Sequence, residues 1–90
     1  MTQNLPFEVL RQLRAQGRTL ATAESCTGGL IGKLLTDIPG SSEVYMGGVI
    51  SYTNGVKHRL LGVSEDTLRV YTAVSRQTAH EMARGTREAV

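Results

Sequence analysis

Apolar positions open the chain at helical spacing. Phe7, Val9, Leu10 and Leu13 share a stripe, with Glu8, Arg11 and Gln12 on the other side. The pattern predicts an amphipathic helix over 6–16, with Pro6 acceptable in its first turn and Gly17 as its stop. Residues 19–23 are β-compatible and free of breakers, and predict a strand. The run from Glu24 to Gly29 is the turn out of it, and Leu30, Ile31, Leu34 and Leu35 recur at helical spacing over 28–37. Residues 38–42 have loop chemistry. The best strand lies at 44–52, where the internal pair Gly47-Gly48 predicts a bulge or a close backbone approach. Thr53-Asn54-Gly55 signals a turn before a short helix over 56–61 that carries Lys57. Ser64, followed by Glu65 and Asp66, and later Ser75 are N-cap candidates. A weak third strand is expected over 69–74. The last helix runs from Arg76 to about the chain end, with Ala79, Met82, Ala83, Thr86 and Val90 as its expected buried stripe and Glu81, Arg84 and Glu88 outside.

The order α-β-α-β-α-α places the chain in the α/β class. Two convincing strands leave long unpaired edges where sheets usually carry about five or six strands. The pattern therefore reads as a piece of a larger sheet domain. Ninety residues make one domain at most, and 4% aromatics limit the core they can bury. Ten basic and eight acidic side chains are mixed along the chain, so nothing points to nucleic acid or a membrane surface as partner. Cys26 is the only cysteine, which excludes an intramolecular disulfide and CxxC metal clusters; no metal or cofactor is expected. The first residues lack the basic and apolar regions of a leader, and no stretch is long enough to span a bilayer, so a cytoplasmic location is expected.

The turn at 23–29 carries the most chemistry. It sets hydroxyls at the junction of a strand end and a helix start, the edge where open α/β sheets bind ligands. Backbone amides there can hold a phosphate or a developing oxyanion, and Gly28 and Gly29 admit close approach. Equally, Ser25 or Thr27 can be a plain N-cap and the glycines a tight turn. Two familiar motifs fail. Gly28 to Lys33 is one residue short of the Walker spacing, with Leu34 where the magnesium-binding hydroxyl belongs. The turn also lacks both glycines of the nucleophile elbow. Neither His58 nor His80 has an evident carboxylate partner. A second cluster, Ser51-Tyr52-Thr53-Asn54-Gly55-Val56-Lys57, ends the better strand and reaches the same sheet edge if the strands are parallel. A serine nucleophile needs a base, and a lysine serves in Ser-Lys variants of the triad. A solvated helix lysine is the plainer alternative. Cys26 is the rival nucleophile, ranked below Ser25 because no histidine stands near it in sequence.

Together these strings resemble the CinA C-terminal domain family. They are residues 22–30 (TAESCTGGL), 35–42 (LTDIPGSS), 47–54 (GGVISYTN) with Lys57, 60–63 (LLGV) and 73–75 (AVS), in family order over nearly the whole chain. The resemblance implies a single domain over 1–90: a three-layer α/β/α sandwich with a mixed sheet, in a stand-alone version of the family and commonly dimeric. It implies hydrolysis of the carboxamide of nicotinamide mononucleotide to nicotinate mononucleotide and ammonia, without metal. The serine nucleophile falls on Ser25, the lysine base on Lys57 and an active-site tyrosine on Tyr52. Thr27, Gly28, Gly29 and Asn54 line the substrate pocket. Two departures, Gly55-Val56 for the usual Glu-Ala and Thr72 for a glycine, look tolerable. The family's C-terminal half, with its remaining strands and an arginine expected near the substrate phosphate, has no counterpart in these residues. The alternative reading is a non-catalytic nucleotide-binding module, or an inactive fragment that needs a partner half.

Overall fold

The computed structural model describes residues 4–90. Helix α1 (Leu5–Ala15) leads into β1 (Leu20–Glu24), α2 (Leu30–Thr36) and a short 3-10 turn (Ser41–Glu43). Strand β2 (Tyr45–Ile50) follows, then α3 (Asn54–Leu61), α4 (Glu65–Tyr71) and α5 (Arg76–Ala89). The two strands pair in parallel, so their C-terminal ends meet at one edge of the sheet. That edge collects the turn after β1 and the turn after β2.

Paired residues of a parallel ladder present their side chains to the same face. The register Thr22↔Gly48 and Glu24↔Ile50 sets one face, and Ala23↔Val49 the other. A register shift between Leu20 and Ala21 skips Met46, leaving Tyr45 on the Thr22 face. This is the bulge that the glycine pair foretold. The close approach is there as well. A methyl group on Gly48 would overlap the Thr22 hydroxyl and lie 2.9 Å from the Tyr45 hydroxyl.

Two small cores flank the sheet. Leu10, Leu35 and Val44 are buried between α1, α2 and the first face, with Leu20 and Tyr45 against them. Leu61, Val63 and Met82 fill the second face with Ala23, Val49 and Leu68. The N-caps at Ser64 and Ser75 are as expected, accepting from Asp66 and Thr67 and from Thr78 respectively.

Three expectations are corrected. The third strand over 69–74 is absent: Arg69, Val70 and Tyr71 are the last turn of α4, nucleated by the Ser64 cap. Ala79, Ala83 and Val90 of the α5 stripe are exposed, and the buried stripe is Thr78, Met82, Gly85 and Thr86. The reason is close packing. A side chain at Gly85 would overlap the Leu61 carbonyl, so the smallest residue marks the contact between α5 and the end of α3. Thr72 is not the tolerable change it looked. Its φ of 68° and ψ of 174° lie in a region nearly reserved for glycine, held because its carbonyl accepts from Ser75 and Thr78.

Candidate active site

Helical side chains tilt toward the helix N-terminus. Lys57, one turn into α3, therefore reaches back across the turn that leaves β2. Thr53 caps that helix, accepting from the Val56 amide. Lys57 is 1% exposed and its Nζ donates to the Ser51 carbonyl at 2.7 Å and the Tyr52 carbonyl at 3.1 Å. Its third direction meets Ser25 Oγ at 3.1 Å. An ammonium has three donors, and here all three are used. No carboxylate among the described residues lies within ion-pair distance of it.

Ser25 is half-buried at the first position after β1, beyond the last ladder bond, Ser51 N–H to the Glu24 carbonyl at 2.9 Å. Cys26 and Thr27 are exposed, and Gly28 and Gly29 take positive φ values of 70° and 110°. Thr27 Oγ1 accepts from the Leu30 amide at 3.2 Å, so its side chain closes the turn.

The helix start itself is occupied. The Glu24 carboxylate, 6% exposed, accepts from the Ile31 amide at 2.6 Å and the Gly32 amide at 3.1 Å. The expectation that α2's first amides stand ready for a phosphate is corrected: Glu24 and Thr27 take them. Among the described residues, the amides of Cys26, Thr27 and Gly29 in the turn have no hydrogen-bond partner. Sequence reading passed over Glu24. The signal was its parity with Leu20 and Thr22 in β1, which puts it on a covered face, whereas capping rules look only a few residues ahead of a helix.

The other sequence candidates are placed differently. Tyr52 touches Lys57 through its carbonyl, and its side chain is 77% exposed. Asn54 opens α3 and lines a cleft with Gly55, His58, Glu65 and Leu68, with no hydrogen bond to Ser25 or Lys57. Ser51 is fully buried, and its Oγ has no partner among the described residues. No helix among those residues is long and apolar enough to cross a membrane.

Comparison with known proteins gives a consistent picture. A family model for the CinA C-terminal domain matches residues 2–90. A CinA-like protein of Leptospira borgpetersenii is 54% identical over 89 residues, 99% of this chain and 21% of that protein. The solved competence/damage inducible protein CihA from Agrobacterium tumefaciens superposes with a TM-score of 0.90 at 45% identity, covering 96% of this chain and 52% of that one. A competence-damaged protein (CinA) superfamily protein from Escherichia coli gives 0.93 at 36% identity, over 98% and 51%. The chain thus spans about a fifth of the length of the curated relatives it matches and about half of these solved chains.

Proposed function

The chain belongs to the CinA C-terminal domain family, and from that premise we propose that it carries the nucleophile and base of a Ser-Lys amidohydrolase acting on nicotinamide mononucleotide. One observation carries the reading: a buried lysine amine, braced by two carbonyls, lies 3.1 Å from a half-buried serine hydroxyl at the sheet's ligand-binding edge. Such a pair meets the geometric condition for a nucleophile and its base.

In the proposed reaction, Ser25 Oγ attacks the carboxamide carbon while its proton passes to Lys57 Nζ. The tetrahedral oxyanion is met by the open turn amides, of which Cys26 N–H directly follows the nucleophile. Collapse breaks the C–N bond, and Lys57 returns the proton to the leaving ammonia. Water then attacks the acyl-serine as Lys57 takes its proton, the acyl C–Oγ bond breaks, Lys57 returns the proton to Ser25 Oγ, and nicotinate mononucleotide leaves. Tyr52 supplies a carbonyl that orients Lys57, and its exposed ring is available to the substrate. Substrate identity rests on the family resemblance. The non-catalytic phosphate cradle is the weaker reading, because Glu24 fills the helix start on which it depends.

Ammonia release from nicotinamide mononucleotide tests the proposal, with Ser25→Ala alongside. Release that vanishes in the variant is expected. Nucleotide binding without release, unchanged by Ser25→Ala, would support the non-catalytic module instead.

A further inference from the structure

Glu24 is a buried carboxylate that the proposed chemistry does not use, and it stands next to the nucleophile. Its backbone carbonyl accepts the last rung of the sheet, from Ser51 N–H. Its side chain crosses the turn and binds the amides of Ile31 and Gly32. One residue therefore fixes both ends of the segment that holds Ser25. Inside that segment there is little else: Gly28 N–H to the Ser25 carbonyl at 3.4 Å, and Leu30 N–H to Thr27 Oγ1 at 3.2 Å.

The carboxylate is itself held. Thr22 Oγ1 donates to Glu24 Oε2 at 3.1 Å and lies 2.6 Å from the Tyr45 hydroxyl. Thr22 has one hydroxyl proton, and it goes to the carboxylate, so Tyr45 donates to Thr22. The chain of donors runs Tyr45 to Thr22 to Glu24, and the space for it exists because residues 32 and 48 are glycines. A methyl on Gly32 would lie 2.9 Å from the Tyr45 hydroxyl and 3.1 Å from Glu24 Oε2. Oε1 accepts one donor and Oε2 two, all on one anionic group. A glutamine presents an NH2 where an acceptor is required, and an aspartate is one methylene short of both amides.

We infer that Glu24 is the positioning residue of the nucleophile: its carboxylate, locked by Thr22 and Tyr45, clamps the 25–30 turn so that Ser25 Oγ meets Lys57. The inference rests on the Ser-Lys reading for its catalytic consequence, but the clamp is measurable without turnover.

The test labels Ser25 with an alkyl fluorophosphonate. The serine oxygen attacks phosphorus, fluoride leaves, and the serine proton passes to Lys57. This chain is compared with Glu24→Gln and Lys57→Met, reading the labelling rate by peptide mapping and amide exchange over residues 26–32 by mass spectrometry. Glu24→Gln is expected to slow labelling about 100-fold, since a displacement near 1 Å costs about that much. Exchange over 26–32 rises in that variant, while α5 keeps its protection. Lys57→Met slows labelling and leaves exchange over 26–32 as it was. Wild-type labelling and exchange in Glu24→Gln overturn the inference and leave the Ser-Lys reading standing. Absence of labelling in the unaltered chain, with faster turn exchange in Glu24→Gln, removes the Ser-Lys reading and sustains the clamp. Should Glu24→Gln loosen α5 as well, Thr22→Val removes one of the three bonds to the carboxylate; unchanged labelling and exchange there overturn the inference.

Discussion

The proposed nucleophile and base come from regions built in opposite ways. Lys57 is buried on α3, whose Leu61 packs against α5 closely enough to require Gly85, and Val63, Thr78, Met82 and Thr86 of the same region are buried as well. Ser25 sits on a turn beside α2, whose Leu30, Ile31 and Leu34 are about half exposed, as is Ile50 at the end of β2 against Gly29. A lysine gains a defined direction when its amine is desolvated and braced, whereas a nucleophile must be reached by its substrate. The base side buys order through packing, and the nucleophile side through hydrogen bonds to one carboxylate.

The difference is sharpest in activity. Ser25→Ala and Lys57→Met are each expected to reduce amide hydrolysis by about three orders of magnitude or more, and the double variant to be little worse than either, as groups acting as a unit are strongly non-additive. Additive losses in kcat would show that the two sides do not act together. Stability comes next. Gly85→Ala should cost about 1–3 kcal/mol by forcing α5 off Leu61, read as a lower denaturation midpoint. An unchanged midpoint would mean the base side is not close-packed.

A gain is expected at Thr72. Relieving its backbone with Thr72→Gly should stabilise the chain by about 1 kcal/mol, because the conformation costs about 1–3 kcal/mol and glycine's extra freedom when unfolded returns part of it. The smallest effect belongs to Glu81, which ties α5 to α4 by accepting from Ser64 N–H at 2.8 Å and Thr67 Oγ1 at 2.6 Å. The Ser64 amide first, and then the Thr67 hydroxyl, hold its carboxyl below the ordinary value. A depressed folded pKa means the unfolded chain binds the proton more readily, so this contribution is complete above the ordinary glutamate range. It fades as pH falls through that range toward the lowered value. Glu81→Gln should lower stability slightly at neutral pH and converge with the unaltered chain in acid, which flattens the acid limb of the stability profile.

Much of this was legible in the residues. Helix starts at Ser64 and Ser75 and the bulge at the paired glycines follow from local chemistry that acts over a few residues. Ser25 and Lys57, by contrast, are 32 positions apart, and only parallel pairing of β1 and β2 joins them. Hydrophobic counting failed where small or polar residues make the contact: α5 buries Thr78 and Gly85 beside the expected Met82 and Thr86, and leaves its alanines exposed. It failed again at α2, where only Leu35 of the apolar set is buried. Glu24 was missed because its partners lie seven and eight residues on, across a turn, where no local capping rule reaches.

Rapid acid quench of the chain during turnover of nicotinamide mononucleotide, followed by peptide mapping, tests the central claim most directly. The account predicts an acyl adduct on Ser25 that is absent in Lys57→Met. An adduct on Cys26, or hydrolysis that persists in Ser25→Ala, would contradict it.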